Sequence, residues 1–228
     1  MIRKMLDFKL SGPLSPNVVS TLIVVFVLGL IAVIVGIKVG KLDHRKTPRG
    51  FVFVCVMIVD VFNRFISDHL PGKRTKVFGP YLFTILIFLA FANTISLFGL
   101  KPPLSNLSVA LTFSAITIVM IKFAEVKYQG VWKKLVSLLG PVKPLAPIML
   151  PINLIGEVST PLTMGMRLFG NLMSGMVISV MVYTALHWAV GIFAGIFVHA
   201  FFDIFFGLIQ AFVFFMLSTV NLSMASDV

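Results

Sequence analysis

The chain has 228 residues, 58% of them hydrophobic and 12% charged, with a mean hydropathy of +1.04. A soluble domain is about 45–50% apolar and about 25% charged, so the composition excludes one. The 23 Phe exclude a disordered chain, and the single cysteine, Cys55, excludes a disulfide framework or a cysteine-built metal cluster. A single-domain integral membrane protein remains, and basic loops on one side of a bilayer account for the formal charge of +11 without nucleic acid.

A helix crossing about 30 Å of hydrocarbon needs about 20 apolar residues. The first such run predicts a span over residues 18–37. Its apolar core is too long for a secretory signal, no small-residue cleavage pattern ends it, and no transit-type segment precedes it. Residues 51–70 differ. Asp60, Asn63, Arg64, Ser67 and Asp68 recur at three- and four-residue steps, opposite Val, Ile and Phe. This pattern predicts an amphipathic helix lying in the membrane surface; the alternative, a sixth crossing, puts three charges into hydrocarbon. Cys55 is expected on its core-facing side. Further spans are expected over residues 78–99 and 107–126, then two long helices over 151–186 and 190–222. The expected fold is therefore all-α: five transmembrane helices plus one in-plane helix. One membrane domain comprises an N-terminal part (1–76), a two-helix hairpin with its loop (77–150) and a long hairpin (151–228).

Loop charges orient the chain. Residues 38–76 carry nine Lys or Arg and residues 122–143 carry five, while Arg3, Lys4, Lys9 and Lys101 fall on the opposite side. The basic side faces the cytoplasm, which places the N-terminus outside and the C-terminus inside. Lys133 and Lys134 read as an anchor to anionic lipid. A bacterial plasma membrane is the expected location, a mitochondrial inner membrane the alternative.

The last two helices are too long to stand upright. Residues 151–186 would extend about 54 Å, yet both ends are apolar. A steep tilt resolves this, with Pro161 kinking the first helix without ending it. The two should form an oblique antiparallel hairpin, turning near His187–Gly191, against a large curved partner.

Within this hairpin lie Glu157, Arg167 and Asp203, with His187 and His199 beside them. An ionisable group at membrane depth is costly and marks function. Arg167 falls near mid-membrane and stays protonated at any relevant pH. The hairpin register sets Arg167 level with Gln210, and Ser174 level with Asp203. Arg167, Asn171 and Ser174 share one face, as do His199, Asp203, Gly207 and Gln210. Asp203 is about 10 Å along the axis from Arg167, on its outer side, with Glu157 on its inner side. The chain thus provides no carboxylate at the arginine's level. A carboxylate arriving from another subunit would lose its proton beside the cation and regain one away from it. Glu157 could alternatively sit at a helix start, where the dipole favours a carboxylate. His199 could be a packed ring, and Asp203 a carboxyl satisfied by a serine or by His199. Gly165, Gly170 and Gly175 are candidate points of close helix approach. No nucleotide-binding loop occurs, so any ATP chemistry belongs to other subunits. No cofactor or metal is expected.

Residues 166–174 read MRLFGNLMS, residues 209–215 IQAFVFF and residues 222–227 LSMASD. These resemble subunit a of the F-type ATP synthase membrane sector, with a looser likeness over residues 107–130. The resemblance implies a non-catalytic, ion-translocating stator subunit with partners in the subunit c ring and the subunit b peripheral stalk. It implies that Arg167 is the essential stator arginine facing the ring carboxylate, that Gln210 lies opposite it and that Asn171 lies one turn on. It also implies two offset aqueous half-channels. Many members carry a glutamate nine positions after the arginine, where this chain has Met176. Asp203 is expected to supply the outer half-channel's carboxylate instead, with Ser174, His199 and Glu157 along the path. A secondary transporter for a small anion is the alternative, but the sequence has no second copy of the polar hairpin. A structural scaffold would not need three ionisable groups in one hairpin.

Overall fold

The computed structural model describes residues 16–41, 50–70, 73–130, 146–186 and 188–224. Among these, the ordered elements are helical: α1 (Pro16–Gly40), α2 (Phe51–His69), α3 (Lys73–Thr94), α4 (Leu107–Gln129), α5 (Ala146–Ala185), α6 (Trp188–His199), a π-helical segment (Ala200–Phe206) and α7 (Gly207–Met224). Two 3-10 turns, Ile95–Phe98 and Pro103–Ser105, connect α3 to α4. Five helical stretches are long and apolar enough to cross a membrane: Asn17–Gly40, Thr75–Phe98, Leu107–Tyr128, Pro147–Ala185 and Phe193–Met224. α2 is not among them.

Local chemistry sets several boundaries. The side chain of Asn106 caps α4, accepting from Ser108 N at 3.0 Å. The 3-10 turn after α3 stops at Gly99, whose φ of 73° is left-handed. That stop agrees with the end of the expected span 78–99; the helix begins five residues earlier, at Lys73, and its last turn tightens to 3-10. Residue 151 is not the start of the fourth span. α5 begins at Ala146, with Pro147 in its first turn where a missing N–H costs nothing, and Pro151 and Pro161 both lie inside one 40-residue helix. Glu157 is therefore well beyond the first turn, which rules out the dipole role at a helix start. The fifth span is not one uninterrupted α-helix, because the π segment divides it.

α7 organises the core. Gly207, Gln210, Ala211, Phe214, Phe215, Ser218, Thr219 and Leu222 are buried, an i, i+3, i+4 stripe along its length. That stripe packs on α3, and Phe214 also meets Phe113 of α4, which stacks on Phe88 of α3. α2 closes the core at one end through its apolar face. Phe62 and Phe65 pack on Phe215, and Ile66 and Leu70 are fully buried, while Asp60, Asn63, Arg64, Ser67 and Asp68 are exposed. Cys55 is half-buried. Arg64 and Asp60 pair at 2.8 Å on the outer face of the helix. Ser223 Oγ donates to His69 O at 2.7 Å, which ties the end of α7 to the end of α2.

α4 runs antiparallel behind α5. A Cβ on Gly165 would lie 2.9 Å from Leu111 Cδ2 and 3.1 Å from Ala110 O, so only glycine lets these backbones approach. One turn along, Ser114 Oγ donates to Pro161 O at 2.8 Å. Farther along the same seam, Lys122 meets Glu157. α5 and the α6–π–α7 rod form an antiparallel hairpin. Gly175 faces Phe202, and Gly195 faces Tyr183, which matches the register read from the sequence to within a residue. Gly165 and Gly175 thus admit neighbours from this same chain, whereas Gly170 is open. His187, Lys133, Lys134, the N-terminal basic residues and the last four residues of the tail lie outside the described residues.

Candidate functional site

Three polar features lie along the α5 hairpin. The first is Arg167. Its helix buries Met164, Gly165, Leu168 and Leu172 toward α4 and the core, and turns Arg167 and Met166 outward. Among the described residues the guanidinium makes no hydrogen bond or ion pair. A shallow depression of about 410 Å³ continues along the arginine's face, lined by Phe169, Gly170, Met173, Ser174, Val177 and Ile178. Asn171 is half-buried, and its Nδ2 is buried with no partner among the described residues. Gln210 is buried on α7.

The second feature is centred on Asp203. Its residue is 8% exposed, and its Oδ2 lies 2.6 Å from His199 Nδ1. Asp203 lies in the stretch where the helix widens and His199 directly precedes it: Gly207 N bonds back to Phe202 O, five residues earlier, as a π-turn requires. The Tyr183 ring lies 6.2 Å from that of His199, seated on the bare backbone of Gly195. Across the bundle, Asn93 Nδ2 donates to Gly207 O at 3.0 Å. Asn93 Oδ1 and Ser96 Oγ are buried without a partner among the described residues, and a buried polar atom of this kind requires one. Met176, where a carboxylate was looked for, is half-buried.

The third feature is a cavity of about 460 Å³ at the lysine-rich end of α4 and α5, lined in part by Lys122, Glu125, Asn153, Glu157, Thr160 and Asn221. Lys122 Nζ is 2.7 Å from Glu157 Oε1 and 3.0 Å from Glu125 Oε2. Glu157 thus separates from Asp203 along the hairpin, with Arg167 between them. Of the residues singled out in the sequence, His199 and Asp203 are in contact, while Arg167, Asn171 and Ser174 share a face. Asn93, Lys122 and Glu125 were missed. Asn93 is an isolated amide within an apolar run, a signal the sequence does carry. Lys122 and Glu125 are spaced i, i+3, but only the crossing of α4 over α5 brings Glu157 to them.

The profile of the ATP synthase A chain family matches residues 18–223. The chain belongs to that family. Curated relatives agree. ATP synthase subunit a of Desulfosudis oleivorans is 32% identical over 176 residues, covering 77% of this chain and 74% of the relative. ATP synthase subunit a of Nitrosospira multiformis is 30% identical over 173 residues, 75% of this chain and 64% of the relative. ATP synthase subunit a 2 of Chlorobaculum tepidum is 30% identical over 225 residues, 93% of this chain and 63% of the relative. The chain therefore spans a little under two thirds of the length of the latter two proteins. Family membership and five apolar helices of spanning length together make it a multi-pass membrane protein.

Proposed function

We propose that this chain is the proton-channel stator subunit of an F-type ATP synthase. The observation that carries this reading is Arg167, a permanent cation on the outward face of an apolar helix, without an ion-pair partner among the described residues. A partner carboxylate from a ring of c subunits completes that site in turn, one copy after another. Beside Arg167 the ring carboxylate releases its proton; away from it, in lipid, the carboxylate holds one.

The outer half-channel runs by Asp203 and His199, with Ser174 level with Asp203, Asn171 below it, and the buried Asn93 Oδ1 and Ser96 Oγ alongside. The inner half-channel is the cavity with Glu157. Gln210 is the buried polar group of α7 nearest the arginine's level. In this reading the α5 hairpin is steeply tilted against the ring and α2 lies in the membrane plane. The basic end faces the cytoplasm, the N-terminus is outside, and subunit b anchors the stator. The chain binds no nucleotide, and the ATP chemistry belongs to other subunits.

Reconstitution of the complete complex in liposomes tests the assignment. Arg167→Ala should abolish coupled ATP synthesis driven by an imposed proton gradient, with the complex still assembled. Synthesis at the unsubstituted rate would overturn the reading.

A further inference from the structure

The cavity at the lysine-rich end carries a charged group that the path above does not use. Lys122 Nζ lies 2.7 Å from Glu157 Oε1, 3.0 Å from Glu125 Oε2 and 3.2 Å from Glu125 Oε1. The two carboxylates come from different helices, and the ammonium is the group that joins them. Its side chain is 34% exposed, against 10% for Glu125 and 27% for Glu157, so the contact is set into the wall rather than out in bulk water. Asn153, Thr160 and Asn221, each with a neutral side-chain oxygen, line the same cavity.

Carboxylates from two elements together with neutral oxygens form the ligand type that hard metal cations take. A tethered ammonium competes for that position at a high local concentration, because its helix holds it there. Resting on the inner half-channel reading, we propose that Lys122 is a specificity-determining residue. It fills the cation position between Glu125 and Glu157 and keeps metal ions out of the inner half-channel, while water and protons pass.

The test uses the complete complex in liposomes, with proton flux read by a pH-sensitive dye and calcium added on the inner face. Lys122→Gln should lose flux by about tenfold in millimolar calcium and recover on chelation, a difference of about 1.4 kcal/mol in site occupancy. The unsubstituted complex and Lys122→Arg should not respond, and adding Glu125→Gln to Lys122→Gln should reduce the response. A calcium response of Lys122→Gln equal to that of the unsubstituted complex overturns the proposal. Should that variant fail to assemble, Lys122→His serves. Its ring is cationic at pH about 6 and neutral above about 7.5, so calcium sensitivity should appear only on the alkaline side; its absence at both pH values overturns the proposal equally. Lys122→Cys in a Cys55→Ser background separates the two levels. If a water-soluble thiol reagent applied from the inner face does not modify it, the half-channel reading of this cavity fails. Modification together with calcium-insensitive Lys122→Gln flux removes the tethered-cation proposal alone.

Discussion

In the proposed half-channel, Asp203 takes over a task that the arginine motif does not supply. Position 176 holds an apolar thioether, and the carboxyl group instead stands on the opposing helix at nearly the same level, bonded to His199 at 2.6 Å. A positioned acid–base group contributes about 10²–10⁴-fold to a proton transfer. Asp203→Asn should therefore cut proton flux through the assembled complex by at least about a hundredfold. His199→Gln, which keeps a hydrogen-bonding group beside the carboxyl, should have a smaller effect. Passive flux under an imposed potassium diffusion potential checks both. The pairing itself was legible in the sequence as an i, i+4 spacing. The widened backbone beneath it was not, because no residue type marks a π-turn; next to it, Asn93 of α3 reaches Gly207 O.

At the scale of helices, the α4–α5 seam decides where the arginine points. Gly165 meets α4 backbone and Leu168 is fully buried on the same side, so Arg167 between them faces out. Gly165→Leu should overpack the seam and destabilise the subunit by about 1–3 kcal/mol, lowering the fraction of complex that survives mild heating in detergent. Gly170→Ala has open space at its Cβ and should leave the same measurement unchanged. Helix existence and the polar stripe of α2 were legible because each is a periodic property of one segment, and the hairpin register because a short turn fixes which residues of two adjacent helices lie level. The start of α5 at Ala146 was not: prolines at 147 and 151 look like boundaries, yet the first turn tolerates the one and the long helix absorbs the other.

For the molecule as a whole, α2 and α7 close the core at the lysine-rich end. Phe215 is fully buried and meets both Phe62 and Phe65, and the Ser223–His69 bond lies about two turns farther along α7. Phe215→Ala should cost about 3–5 kcal/mol and free α2, seen as faster proteolysis of the segment joining α2 to α3 in proteoliposomes. What the sequence could not reveal at this scale is which helices cross, since Glu157 becomes a neighbour of Lys122 and Glu125 only through the seam. The π segment sets a different constraint. It stores one spare residue in the rod, and in an ordinary α-helix each residue advances the winding by about 100°. Deleting a single residue between 200 and 206 would return the stretch to ordinary winding and leave the facing of Trp188–His199 nearly unchanged, whereas adding one would swing everything toward Trp188 by about that angle. The stretch should thus tolerate the loss of one residue better than the gain of one, which makes chain length here a form of aiming.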